Sequence, residues 1–274
     1  MARRSARAAL ALLAVLGALA ALAPVVAPYD PTAQPDIVAL KRQPPSAEHP
    51  FGTDQFSRDV LSRVLHGGRV SLAVAVLAVA LSATIGTAYG SVAGYYGGWV
   101  DAVMMRALDA MLAIPRVLLV IGAAVTFGPL GLPGFVILLG TTGWFGVSRL
   151  VRGEVISVSH RDYVAAARAL GTSHLRLLGR HILPNALAPV IVAAALGVGN
   201  VITLEAGLSY LGAGVRPPHP SWGNIIRDGS AELGTMWWMS FFPGLAIVAT
   251  VLACNVVGDA LRDALDPRQL PPDD

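Results

Sequence analysis

Six runs of this sequence are long and nearly free of charge, and they decide what the chain can fold into. They lie roughly at Ala8–Ala27, Val70–Gly94, Met104–Phe127, Pro133–Val151, Ala186–Ala206 and Phe241–Ala260. Each is near the ~20 apolar residues that a helix needs to cross a bilayer. The 274 residues are 54% hydrophobic and only 14% charged, against roughly 25% charged in an average soluble domain. One aqueous core cannot enclose so much apolar surface, so lipid is the solvent for most of the chain. The predicted fold class is all-α: a polytopic membrane protein with about six transmembrane helices.

Charge sets the expected orientation. Arg3, Arg4 and Arg7 precede the first run, and loops rich in Lys and Arg stay on the cytoplasmic side. Six crossings then place both termini, and the segment Arg152–Asn185, in the cytoplasm. Twelve basic residues fall inside and seven outside on this assignment. The pI near 9.3 reflects basic residues at loop ends, and no nucleic-acid partner is expected. The first run also has the basic start and Ala21-Leu22-Ala23 of a signal peptide. It is nearly of full span length, however, and Pro24 would follow the cleavage site, so a retained helix is predicted. The expected organisation is 1–69 for this helix and an external loop, 70–260 for the transmembrane domain, and 261–274 for a cytoplasmic tail. An insert occupies about 152–185. The external loop turns regular at Ser57–Leu65, where alternating polar and apolar residues predict an amphipathic surface helix.

The insert is polar and basic between apolar runs. Ala, Leu and Arg favour a short helix over Arg161–Leu170. Gly171 can supply a left-handed C-cap, and Thr172 or Ser173 can N-cap a second helix to about His181. Pro184 is expected to stop that helix. Two short helices hinged at a glycine make a rigid knob.

The sequence Asp162-Tyr163-Val164-Ala165-Ala166-Ala167-Arg168-Ala169-Leu170-Gly171, followed by His181-Ile182-Leu183-Pro184-Asn185, resembles the EAA motif of permease subunits in binding-protein-dependent ABC importers. The resemblance implies that Asp162, Ala165, Ala166, Arg168, Gly171, His181, Pro184 and Asn185 belong to a cytoplasmic coupling helix docked on an ATPase. His49-Pro50-Phe51-Gly52-Thr53-Asp54 with Arg58-Asp59-Val60-Leu61-Ser62-Arg63 is similar to the dipeptide, oligopeptide and nickel permeases. So are Gly94-Tyr95-Tyr96-Gly97-Gly98-Trp99, Glu205-Ala206-Gly207-Leu208-Ser209-Tyr210, Ser221-Trp222-Gly223-Asn224 and Gly258-Asp259 with Asp266-Pro267. The likeness runs from about His49 to Arg268 and points to the second, C-type, of two paired permeases. It implies a homologous permease subunit, two ATP-binding subunits, an extracytoplasmic solute-binding protein and peptide-like solutes.

Further residues stand out physically. Gly86, Gly90 and Gly94 recur every fourth position, leaving a stripe where another backbone can approach, within the chain or on a partner subunit. Pro115, Pro129, Gly131 and Pro133 are expected to interrupt the middle spans. Asp109, Arg116 and Glu205 are the charges nearest the apolar runs and are pathway candidates. Arg106 or Arg116 is expected to pair with Asp109, and Glu205 to close the fifth span with a local hydrogen bond. The six histidines show no ligand-like pairing, and Cys254 is the only cysteine, so no metal site is expected. A Walker A loop needs a Gly-Lys-Ser/Thr sequence. The only lysine is Lys41, followed by Arg42. The chain is therefore predicted to be no enzyme and to hold no cofactor, with ATP bound by partner ATPases. Two rival classes are weaker. An intramembrane serine hydrolase built on Ser209 lacks a histidine in the last span, and a passive scaffold or channel leaves the knob unexplained.

Overall fold

A computed structural model describes residues 2–128 and 130–265. Pro129 and the tail from residue 266, including Asp266, Pro267 and Arg268, lie outside the described residues. In chain order the helices are α1 (Ala2–Ala21), α2 (Ala23–Val26), α3 (Val60–Tyr96), α4 (Gly98–Leu112), α5 (Arg116–Phe127) and α6 (Leu132–Ser159). There follow α7 (Asp162–Ala169), α8 (His174–Arg176), a π-helical turn (Leu177–Ile182), α9 (Leu183–Ala186), α10 (Ala188–Tyr210), α11 (Trp222–Ser230) and α12 (Trp238–Leu265). Among the described residues the only β pairing is an isolated bridge between Thr53 and Asp59. Five helices are long and apolar enough to cross a membrane, and α4 with α5 forms a sixth candidate bent by 76°. The all-α polytopic expectation holds.

The boundaries differ where tertiary packing overrides local pattern. Ser57–Leu65 is no separate surface helix. Asp59 caps α3 by accepting from the Ser62 amide, and the helix then runs unbroken for 37 residues. At 1.5 Å per residue it is about 55 Å long, well beyond the ~30 Å hydrocarbon core. Gly67 and Gly68 do not interrupt it, because α11 lies on them. A Cβ at Gly68 would sit 3.0 Å from the Trp222 ring. Pro133 starts α6 instead of breaking a span, a position where its missing N–H costs nothing. Pro115, at the N-cap of α5, marks a real break. Helix α10 continues past Glu205 to Tyr210, and α12 continues past Ala260 to Leu265.

The glycine stripe is covered from within the chain. Helices α3 and α6 share the most extensive contact of the fold. A Cβ on Gly86 would lie 2.7 Å from Val147 Cβ, and one on Gly94 2.8 Å from the Arg152 carbonyl. At Gly90 it would collide with the Ser148 carbonyl. These glycines let two backbones touch, so the stripe serves internal packing. Helix α10 then packs on α3 and α12, and α1 on α12 and α3.

Gly90→Leu should therefore destabilise the α3–α6 pair by overpacking, on the order of 1–3 kcal/mol. Thermal unfolding of the detergent-purified subunit should show a lowered midpoint. Gly153→Ala, where a Cβ meets nothing within 4 Å, should leave the midpoint unchanged or raise it.

Candidate coupling knob and external clasp

The insert folds as a compact knob on the end of α6. Arg161 takes an extended N-cap conformation, and Asp162 in the first turn and Arg168 in the last suit the helix dipole of α7. The Thr172 amide donates to the Ala167 carbonyl at 3.2 Å and the Gly171 amide to Arg168 at 3.0 Å. That pair of bonds is a Schellman cap, which needs a left-handed residue at its turn. Gly171 supplies it with φ +77°. Ser173 has the backbone angles of an N-cap for α8, but its side chain makes no capping bond.

The expectation that Pro184 stops the second helix is corrected. The chain passes through the π turn and continues helically to Ala186. Proline cannot donate to the Arg180 carbonyl and would crowd it, and a widened turn just ahead relieves this. The backbone of His181 then becomes a meeting point: the Asn185 Nδ2 donates to its carbonyl at 2.8 Å and the Tyr163 hydroxyl at 3.4 Å. His181 and Asn185 are thus joined through a carbonyl, not through the imidazole.

One side of the knob is core and the other is bare. Val164, Leu177, Ile182 and Ala186 pack on Val151, Val155 and Val158 of α6. Tyr95, at the end of α3, meets His174 Nδ1 through its hydroxyl at 2.7 Å. Ala165, Ala166, Arg168 and Pro184 are exposed. Leu170 and Leu175 are 86% and 87% exposed.

The partners of Asp109 and Arg116 differ from the sequence expectation, whereas Glu205 makes the local hydrogen bond expected of it, to Ser209 four residues on. Asp109 pairs with Arg149 of α6, not with Arg106 or Arg116. Asp101 is held by Arg152, which also presents its backbone to Gly94. Arg116 donates instead to the Leu139 carbonyl at 2.8 Å. Glu205 is fully buried and accepts from Ser71 at 2.8 Å and Ser209 at 2.7 Å. Ser209 also accepts from the Val215 amide at 3.0 Å, and Ser71 from the Trp222 amide at 3.3 Å. These bonds fasten the α10–α11 connection to α3. Ser209 therefore has a carboxylate and a backbone amide as partners, which is not the base-activated arrangement of a hydrolase.

At the end of the bundle opposite the knob, the 27–59 segment is clamped down by ions. Asp54 accepts from Arg58 Nε at 2.6 Å, Arg63 Nη1 at 2.5 Å and the amides of Phe56 and Arg58. Asp228 of α11 takes the second nitrogens of Arg63 and Arg58 at 2.8 and 3.2 Å. Nearby, His49 Nδ1 lies 2.9 Å from Asp59, and Trp238 donates to the Thr53 carbonyl at 3.1 Å. The i,i+4 spacing of Asp54 and Arg58 is visible in sequence. Asp228, 165 residues beyond Arg63, is not.

Residues 86–270 match the family described as the binding-protein-dependent transport system inner membrane component, and residues 1–45 match the N-terminal transmembrane domain of oligopeptide transport permease C. The chain belongs to the inner membrane component family. It is 43% identical over 246 residues to a putative peptide transport system permease protein of Brucella suis biovar 1, covering 89% of this chain and 82% of the relative. Over 226 residues it is 43% identical to the dipeptide transport system permease protein of Bacillus subtilis, covering 82% and 70%. The oligopeptide transport system permease protein of the same organism is 43% identical over 226 residues, covering 82% and 74%. This chain is thus a transmembrane permease subunit of an ABC importer. The hydrolase and scaffold readings have no support.

The clasp makes a stability prediction for this permease. Removing one partner of a buried ion network typically costs about 3–5 kcal/mol, because the remaining charge is stranded. Asp54→Asn, which leaves Arg63 without its buried carboxylate, should lower the unfolding midpoint clearly. Arg42→Ala, at the exposed pair with Glu232, should change it little, which a thermal-shift comparison in one detergent would establish.

Proposed function

We propose that this permease pairs with a homologous subunit to form a pathway for peptide-like solutes, driven by two separate ATP-binding subunits. An extracytoplasmic binding protein delivers the solute to the clasp end. The knob docks in the ATPases at the other end. The observation that carries this reading is the knob's contrast of faces: rigidly seated on α6 by Val164, Leu177 and Ile182, yet bare at Leu170 and Leu175. Large apolar side chains held out on a fixed frame mark a protein contact. The names of the relatives support peptide-like solutes.

On this reading ATP binds the partner subunits, and the chain holds no cofactor. Closure of the ATPases pushes the knob, and α6 passes the displacement to α3 through the glycine stripe. The pathway opens outward, and hydrolysis resets it. Both termini and the knob are cytoplasmic, supported by twelve basic residues inside against seven outside.

Two experiments test this. In Cys254→Ala protein, single cysteines at the exposed Ser46 and His219 should react with an impermeant thiol reagent in intact cells. A cysteine at Ser173 should stay protected, and its external labelling would reverse the topology.

Gly171→Val puts a β-branched residue at φ +77°, and Ala166→Asp puts a charge on the docking face. Each should abolish uptake while the helices remain inserted, with ATPase subunits lost or hydrolysing without response to loaded binding protein. Gly171→Asn, which tolerates the left-handed region, should keep most of the uptake. Wild-type uptake and coupling in Ala166→Asp would sink the coupling assignment.

A further inference from the structure

Arg116 opens α5 at the break in the third span. Its Nη2 and the Ser82 hydroxyl of α3 converge on Gly143 of α6, well inside both long helices. A charge at such depth is expensive and does not face lipid. Irregular backbone at that depth is tolerated where it lines water or is covered by protein. Both arguments make the α4–α5 break a wall of something other than lipid.

The guanidinium is held but not neutralised. Of the five donors that arginine carries, one meets the Leu139 carbonyl at 2.8 Å, and the buried Nε has no partner. No carboxylate among the described residues lies within ion-pair distance of it. The nearest acid in sequence, Asp109, is taken by Arg149. Helix α5 is also thinly covered: Val120 is its only fully buried residue, and Leu118 and Val125 are exposed. The arginine itself is half-buried.

From this geometry we propose that Arg116 is a binding point within the pathway for the carboxylate of the passing solute. The inference rests on the peptide-like solute of the preceding section. Every unmodified peptide ends in a carboxylate, which a guanidinium receives through two parallel hydrogen bonds. A neutral carbonyl orients the side chain and leaves its charge free. Transit needs a site favourable enough to enter and weak enough to leave, and a single guanidinium held by one carbonyl meets that condition. A carboxylate on the second permease is the competing occupant.

The test uses the complete importer in proteoliposomes with its binding protein and trialanine as the transported probe. Arg116→Gln should lower the maximal uptake rate about tenfold or more, the scale of losing one charge-assisted hydrogen bond. Arg116→Lys should restore most of that rate. Affinity of the binding protein for trialanine and co-purification of the second permease should not change. In Cys254→Ala protein, Arg116→Cys should react with an anionic methanethiosulfonate faster when ATP and trialanine-loaded binding protein drive turnover than in the resting importer. Equal loss in the Gln and Lys variants, or an inert cysteine, would overturn the inference. So would loss of the second permease in Arg116→Gln, which would assign the guanidinium to a subunit contact. A wild-type importer that carries no trialanine removes the peptide reading and this inference together. The outcomes above remove the inference alone.

Discussion

Everything in this permease hangs on the contact between α3 and α6. Two helices can touch along their backbones only where side chains are absent, and Gly86, Gly90 and Gly94 provide that over successive turns. Val147, Val151 and Val155 fill the space. Lipid gives apolar helices no reason to associate with each other rather than with acyl chains, so association relies on close packing. Once the pair forms, two distant structures become parts of one frame. The start of α3 anchors the clasp at one end of the bundle, and the end of α6 carries the knob at the other.

The two ends solve opposite problems. At the clasp, Asp54, Arg63, Asp59 and Glu205 are buried and each has charged or hydroxyl partners. Such networks are strict about geometry, because a buried polar group without a partner is costly. They hold α11 and the 27–59 segment on the helix ends as one rigid face. At the knob the interior is apolar and the exposed face carries leucines and alanines. One end is completed internally, and the other leaves Leu170 and Leu175 exposed.

Between them the α4–α5 break is the loosest part of the described bundle. Its bend of 76° begins at Pro115 and leaves α5 resting mainly on α6. The guanidinium of Arg116 sits at that bend with a backbone carbonyl as its protein acceptor. A rigid frame with one thinly packed span is a physical arrangement in which a pathway wall can move while its two ends stay in register.

Much of this was legible in the sequence because the relevant physics is local or compositional. Runs of apolar residues dictate spans, and a left-handed turn after Ala169-Leu170 demands Gly171. The spacing of Gly86, Gly90 and Gly94 follows from the helical repeat. The partners across space were not legible. The glycine stripe left open whether its cover came from this chain or another, and α6 decided it. The pattern at Ser57–Leu65 favoured a surface helix, but packing of Trp222 on Gly68 made it the first turns of α3. Asp109 had Arg106 within one helical turn and took Arg149 from another helix. Pro184 lost its power to end a helix when a π turn widened the backbone just ahead of it. Sequence by itself determined the solvent, the helices and the knob's hinge, because backbone conformation and transfer to lipid depend on each residue and its near neighbours. Tertiary structure alone decided which buried charge meets which partner, because ion pairs and close contacts depend on distances that chain order does not contain.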